Sequence, residues 1–229
     1  MKIERTIFWF EDGNEMLSSL NDAFYGLSML MNRLLNESYE GKKLKFINIY
    51  FSTESSYEAN PHLPKNEPYY YGGDLQFYGF FDKDSFLELS FEEQKKFIWK
   101  SASQYLVKSG EIIKNNELKK SAEFAFNKGV EINLNTDLKL IEKELAISNE
   151  KYTVSIWITF QKEYMYSSLL IEKKSGKVFE KVIDKTRNGV EFFLDIYKDI
   201  LSENGDIIIR GSKDVDYLPL RISLNSFNK

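Results

Sequence analysis

The chain has 229 residues, 42% of them hydrophobic and 15% aromatic, enough to bury a core as one large domain or two small ones. Its 35 acidic and 31 basic residues give a formal net charge of −4, which offers no positive surface for a nucleic-acid backbone. Nucleic acid is therefore not an expected partner. Separately, the absence of cysteine excludes thiol nucleophiles, disulfides and thiolate metal ligands.

The N-terminus predicts neither a secretory signal nor a membrane anchor. Glu4 and Arg5 carry charge where a signal would place its apolar residues. No apolar run approaches the roughly 18 residues of a membrane span. We therefore expect a cytoplasmic protein that does not bind a membrane.

The first residues predict two strands separated by a helix. β-Branched and aromatic residues over Thr6–Phe10 favour a buried strand, and Asp12-Gly13-Asn14 favours a turn after it. From Asn14 to about Glu37, apolar residues recur at three- and four-residue steps, which predicts an amphipathic helix. A second strand is predicted over Leu44–Phe51.

The segment Pro61–Tyr78 interrupts this regular pattern. It holds three of the four prolines, the only histidine, His62, and a run of three tyrosines. Long loops without pattern inside compact domains are commonly either functional or disordered, and the sequence leaves both open. Strand character resumes over Leu75–Phe81, and this strand could pair with Leu44–Phe51.

Two helices are predicted after this segment. Ser90 and Glu93 form a capping box, which predicts a helix over Phe91–Ser109. Gly110 is expected to separate it from a second helix over Glu111–Lys128.

Beyond Gly129 the hydrophobic residues alternate with a period of two, which predicts strands. The turn Lys174-Ser175-Gly176 contains a glycine suited to positive φ, so the strands on either side of it are expected to form a meander. The predicted strands are Val130–Leu134, Leu138–Leu140, Tyr152–Phe160, Tyr166–Glu172 and Lys177–Ile183.

The C-terminal residues predict one helix and two strands. Val190–Leu201 is amphipathic at helical spacing and is interpreted as a single helix. A short buried strand follows at Asp206–Arg210, and a last strand spans about Asp216–Leu224. Pro219 places that last strand at a sheet edge, because proline cannot donate to the ladder.

The predicted fold class is α+β, with a mostly antiparallel sheet, helices packed on one side, and a C-terminal half formed by a β-meander plus one helix. Helices concentrate in residues 1–128 and strands in 129–229. No Pro/Gly/Ser linker separates these halves. We therefore predict a single α+β domain over 1–229, with two tightly packed halves as the other arrangement.

No catalytic motif stands out in the sequence. His62 lies between prolines without a nearby carboxylate to orient its imidazole, which favours a solvent-facing histidine. Asp82–Glu93 superficially resembles a calcium loop, but Phe86 and Leu87 occupy positions that require an oxygen ligand and a glycine. We predict no catalytic residue, no metal and no cofactor.

The remaining candidate is a binding surface within Pro61–Tyr78. Tyrosines supply large, stiff contact area at low entropic cost, and prolines restrict the segment before binding. The alternative is that the tyrosines simply cover the sheet. Carboxylates would give the surface an acidic rim, because Lys65 is the single basic residue beside four acidic ones, which are Glu54, Glu58, Glu67 and Asp74. The predicted partner-binding residues are Glu67, Tyr69, Tyr70, Tyr71 and Asp74.

The segment Ile7–Glu15, followed by the amphipathic helix, resembles the aromatic strand, polar turn and helix start of some immunity proteins from bacterial polymorphic toxin systems. The resemblance is confined to this N-terminal strand, turn and helix. Phe10 stands after Trp9, where one such group has a basic residue. The resemblance implies a cytoplasmic antidote that binds one cognate toxin, often by covering its active site.

The expected function is thus a non-catalytic binding protein that neutralises a cognate bacterial toxin, with a protein partner such as a basic toxin domain. The alternative is an enzyme or small-molecule-binding protein that uses Asp, Glu and Tyr in a cleft between the two halves. A third possibility is a purely structural or oligomerising protein.

Overall fold

The computed structural model describes residues 2–147 and 150–223. The chain divides into two compact units, one ending at Thr136 and one beginning at Asp137. The α+β class is confirmed, because the first unit combines long helices with a sheet and the second carries antiparallel sheets.

The first unit contains a five-stranded sheet. Its strands are β1 (Arg5–Asp12), β2 (Glu15–Met16), β3 (Phe46–Ser52), β4 (Glu67–Tyr71) and β5 (Asp74–Phe80). They lie in the order β2-β1-β3-β5-β4, with β1, β3 and β5 parallel and the two edge strands antiparallel to their neighbours. The predicted pairing across Pro61–Tyr78 is confirmed as the contact between β3 and β5.

The helices of the first unit are α1 (Ser18–Ser38), α2 (Glu54–Ala59), α3 (Lys83–Glu88), α4 (Phe91–Ile112) and α5 (Asn116–Glu131). The capping box of Ser90 and Glu93 is confirmed at the start of α4. The short helices α2 and α3 were not predicted. Helix α1 begins at Ser18, later than predicted, because the turn after β1 first closes a hairpin with β2.

The prediction that Gly110 ends α4 is wrong, since the helix continues to Ile112. Gly110 instead permits a close approach to the start of α5. A Cβ atom at this position would lie 2.9 Å from the backbone nitrogen of Lys119. The glycine is therefore explained by packing of two helices and not by termination of one.

The predicted strand Val130–Leu134 is also wrong. Helix α5 runs through Gly129 to Glu131, and the chain then turns through Asn133 and Leu134, which have φ of +52° and +51°. Leu134 is buried in the core of the unit. The alternating apolar residues that suggested a strand therefore belong to the end of α5 and to the turn after it, which places the Leu134 side chain in the core.

The second unit contains two antiparallel sheets. The first consists of β6 (Leu138–Ile147), β7 (Glu150–Phe160), β8 (Tyr164–Lys173) and β9 (Gly176–Arg187), paired in chain order. The second consists of β10 (Tyr197–Glu203), β11 (Asp206–Gly211) and β12 (Leu220–Ser223). The predicted meander is confirmed, and Gly176 has the expected positive φ of +120°. The last strand lies at the predicted sheet edge, but β12 begins at Leu220, so the prediction that Asp216–Pro219 belongs to it is wrong. Leu224 lies outside the described residues.

The predicted helix over Val190–Leu201 is wrong. Glu191–Leu194 forms a single 3-10 turn, and Tyr197–Glu203 is strand β10. The apolar residues Phe193, Tyr197 and Ile200 recur at helical spacing, yet they are also the buried positions of the turn and strand. The local pattern favours a helix, but hydrogen-bonded pairing with β11 stabilises β10 as a strand.

Candidate functional site

The five-stranded sheet presents different side chains on its two faces, because successive residues of a strand point in opposite directions. One face, called here the helix-covered face, is apolar and packs against α1 and α4, which in turn pack against α5. Its strand residues belong to one buried cluster with residues of these three helices, and they are Phe8, Phe10, Ile47, Ile49, Phe51 and Leu75. The opposite face, called here the polar face, carries Trp9, Asn48, Tyr50, Tyr69, Tyr71, Asp74, Gln76 and Tyr78.

A chain of hydrogen bonds crosses the polar face from β1 to β5. The indole Nε1 of Trp9 donates to Oδ1 of Asn48 at 3.0 Å, and Nδ2 of Asn48 donates to Oδ1 of Asp74 at 3.1 Å. Nε2 of Gln76 donates to the other oxygen of Asp74 at 3.2 Å, and the Tyr78 hydroxyl donates to Oε1 of Gln76 at 2.7 Å. The two amides therefore fix the orientation of the Asp74 carboxylate.

Tyr50 and Tyr78 lie side by side in the middle of the polar face. Their ring centroids are 4.7 Å apart, with the ring planes inclined by 9°. Burial, and to a lesser extent the charges of Glu11 and Asp74, raises the pKa of Tyr50. Burial, with Tyr50 and the same two carboxylates, raises the pKa of Tyr78 to about 12. Both phenols are neutral near pH 7, so they supply contact area and hydrogen bonds and not acid–base chemistry.

Helix α2 closes the carboxyl end of the polar face. The hydroxyl of Tyr57 donates to the carbonyl of Tyr78 at 3.0 Å. The hydroxyl of Ser52 donates to the Glu11 carboxylate at 2.6 Å. The part of the face beyond these contacts, around Asp74 and the edge strand β4, carries the more exposed side chains.

The predicted partner-binding residues separate in the structure. Tyr69 and Tyr71 are 55% and 77% exposed, and they lie on β4 directly opposite Gln76 and Asp74 of β5. Tyr70 points to the helix-covered face, where its ring packs against the buried cluster. The structure thus brings Tyr69, Tyr71 and Asp74 together and places Tyr70 elsewhere, as strand alternation requires.

Tyr70 and Glu67 hold the edge strand in place. The hydroxyl of Tyr70 donates to the carbonyl of Lys43 at 2.8 Å. The carboxylate of Glu67 forms an ion pair with Nζ of Lys108 on α4 at 3.0 Å, and the same ammonium donates to the carbonyl of Asn66. These contacts hold β4 in position, and they engage the Tyr70 hydroxyl and the Glu67 carboxylate within the protein.

The segment Pro61–Tyr78 is more regular than its composition indicates. Gly72 and Gly73 have φ of +59° and +98° and form the two-residue turn of the hairpin between β4 and β5. The pair of glycines between two aromatic runs was the sequence signal for this hairpin. His62 is exposed in the turn before β4, as expected of a solvent-facing histidine.

The predicted acidic rim is partly neutralised. Glu54 forms an ion pair with Lys65, and Glu67 is paired with Lys108. Glu58 is exposed, and among the described residues Asp74 accepts side-chain hydrogen bonds from two amides. Within this rim, electrostatic attraction of a basic partner would therefore depend mainly on Glu58 and Asp74.

A second candidate is a cavity of about 350 Å³ at the carboxyl ends of the parallel strands, lined by Asp12, Thr53, Asp82, Lys83 and Asp84 among others. Asp12 forms an ion pair with Lys83 and accepts from the Thr53 hydroxyl at 2.7 Å. These hydrogen bonds, that of Lys83 first, lower the pKa of Asp12, away from the near-neutral range of a general acid or base. Asp82 caps α3 by accepting from the backbone N–H of Ser85.

The comparisons with known proteins found no matching family model, no matching curated protein and no matching solved structure. Of the helices in residues 2–147 and 150–223, none is long and apolar enough to span a membrane. Within the same ranges, His, Asp and Glu side chains nowhere form a group of three that could hold a metal ion. The geometry of the polar face therefore carries the functional interpretation.

Proposed function

We propose that this chain is a non-catalytic binding protein whose partner is another protein, and that it acts in the cytoplasm as an immunity protein against a bacterial toxin. The observation that supports binding is the exposure of Tyr69 and Tyr71, 55% and 77%, side by side on a fixed strand. Exposed, rigidly held tyrosines are enriched at the centres of protein interfaces.

The edge strand that carries these tyrosines is held in position without a partner. It is joined to β5 by a tight hairpin, to the backbone at Lys43 by the Tyr70 hydroxyl, and to α4 by Glu67 and Lys108. Ordering a flexible segment on binding reduces affinity, whereas a strand that is already ordered avoids most of that loss. The arrangement therefore favours a binding surface over a mobile lid.

The toxin as partner is supported by the resemblance of Ile7–Glu15 and the following helix to immunity proteins, and by the net charge of −4. A negatively charged antidote attracts a basic toxin domain and accelerates their association. In this proposal the polar face and its edge strand form the contact with the toxin.

A small-molecule-binding protein is the second candidate function, favoured by the strand-end cavity. Ligands of open α/β sheets commonly bind outside the carboxyl ends of parallel strands. The residues lining this cavity already bond one another, as in the contacts of Asp12 with Lys83 and Thr53. A ligand would have to replace those contacts, which makes the exposed tyrosines the stronger functional feature.

The test uses the product of the adjoining reading frame. If that product ends in a toxin-like domain, the purified chain is expected to bind a catalytically inactive form of the domain and to protect cells from the active form. Titration calorimetry should show a loss of roughly 100-fold or more in affinity for the Tyr69→Ala/Tyr71→Ala double variant, as is typical of central aromatic residues. Tyr164→Ala, which removes a 39% exposed tyrosine from β8, is the matched control and should bind as the wild type.

The proposal is overturned if no adjoining product binds or is neutralised. The assignment of the surface is overturned if the double variant and the Tyr164→Ala control bind the toxin domain equally well.

A further inference from the structure

Within residues 2–147 and 150–223, the carboxylate of Asp74 forms no ion pair with a cationic side chain. Its two oxygens accept hydrogen bonds from the amides of Asn48 and Gln76, at 3.1 Å and 3.2 Å. A carboxylate offers about four acceptor positions, so two remain after the amide contacts. The carboxylate is therefore fixed in direction, and no side chain in the described part of the chain forms a direct ion pair with it.

Two exposed aromatic rings lie beside this carboxylate. Tyr71 is directly opposite Asp74 and Tyr69 directly opposite Gln76 in the antiparallel pair of β4 and β5. Side chains in such positions have Cβ atoms about 4.5–5.5 Å apart. A group that bonds to Asp74 would therefore also contact a phenol ring.

We propose that Asp74, Tyr69 and Tyr71 form a binding site for an arginine side chain presented by the protein partner. The guanidinium donates two parallel N–H groups to the free acceptor positions of Asp74 and lies flat against a tyrosine ring. This inference rests on the proposed function and specifies the chemistry of its contact.

Arginine fits this site better than other cations. A lysine ammonium is a compact, strongly hydrated point charge that lacks the fixed planar pair of N–H donors of a guanidinium and cannot lie flat on a ring. A calcium ion takes six to eight oxygen ligands, whereas Asp74 is the carboxylate of this site and its neighbours Asn48 and Gln76 direct N–H groups toward it. The planar, bidentate cation uses both the carboxylate and the rings.

The inference is tested with short capped peptides on the full chain. Gly-Arg-Gly, Gly-Lys-Gly and Gly-citrulline-Gly are titrated, and NMR follows the side-chain amides of Asn48 and Gln76 and the indole N–H of Trp9, which the hydrogen-bond chain connects to Asp74. The arginine peptide should shift these signals and bind at least tenfold more tightly than the other two. Equal binding of the lysine peptide, or no shift by the arginine peptide, overturns the inference.

Variants separate the site from general electrostatic attraction. Asp74→Asn is expected to reduce binding of the arginine peptide at least tenfold, and Tyr71→Ala several-fold. Glu88→Gln removes the same charge from an exposed position on α3, outside the acidic rim, and should leave binding unchanged. Equal losses in Asp74→Asn and Glu88→Gln overturn the inference.

Failure of this inference is distinguishable from failure of the proposed function. If the toxin domain binds Asp74→Asn as tightly as the wild type but not the Tyr69→Ala/Tyr71→Ala variant, the arginine site is wrong and the binding function is supported. If the arginine peptide binds selectively but no toxin domain binds, the arginine site is supported and the immunity function is wrong.

Discussion

The two faces of the five-stranded sheet use the same three parallel strands but are stabilised differently. On the helix-covered face, Phe10 stacks on Phe51 with centroids 4.8 Å apart, and both rings contact Phe81 edge-on. On the polar face, Trp9 and Asp74 are connected through hydrogen-bonded amides. Apolar burial thus concentrates on one face, and we propose that the exposed part of the other face binds the partner.

The largest effect is expected on the helix-covered face. Phe51→Ala removes a fully buried ring that contacts Phe8, Phe10, Phe81 and Tyr105. The free energy of unfolding should fall by about 3–5 kcal/mol, as is typical when a buried phenylalanine is truncated. Urea denaturation measures this loss, and a change below about 1 kcal/mol would contradict the assignment of the core.

A smaller loss is expected where β5 contacts α4. A Cβ atom at Gly79 would lie 2.3 Å from the ring of Tyr105, which stacks on Phe77 with centroids 4.3 Å apart. Gly79→Ala should therefore cost about 1–3 kcal/mol by overpacking. Combining it with Tyr105→Ala should give less than the sum of the two single losses, because both changes act on the same contact. Strict additivity would argue against this packing.

Alkaline pH should weaken both faces together. Burial raises the pKa of Tyr78 on the polar face, of Tyr105 on α4, which packs on the helix-covered face, and of Tyr57 on α2, each to about 12. An unfolded tyrosine titrates near pH 10, so between pH 10 and 12 the folded chain binds more protons than the unfolded chain. The contribution to stability is complete below pH 10 and is lost as the pH rises through 12. Thermal unfolding should be measured at increasing pH, with phenolate absorbance recorded to follow the ionisation of the tyrosines. A melting temperature that stays constant up to pH 12 would contradict the prediction.

The three long helices and the meander could be predicted because local hydrophobic patterning determines them, whereas the short helices α2 and α3 were missed. The capping box of α4 and the turn at Gly176 are short-range signals that the structure confirms. The prediction failed at Val190–Leu201, where spacing that suits a helix also suits the buried residues of β10, and only pairing with β11 distinguishes the two.

The polar face could be predicted only in part. Tyr69, Tyr71 and Asp74 were identified from composition, but the assignment of Tyr70 to the same surface required knowing that the segment is a strand. Trp9 and Asn48 were missed because they are 39 residues apart and meet only through parallel pairing of β1 and β3. Contacts of that range leave no local pattern in the sequence.

The smallest effect on stability is expected at the exposed tyrosines, and this provides the most direct test of the central claim. For the Tyr69→Ala/Tyr71→Ala variant, the free energy of unfolding and the affinity for the toxin domain should be measured on one preparation. We expect a change in unfolding free energy within about 0.5 kcal/mol per site, as for exposed positions, together with a loss of affinity for the proposed toxin of roughly 100-fold. Full affinity, or a loss of affinity that follows a loss of folding, would contradict this expectation.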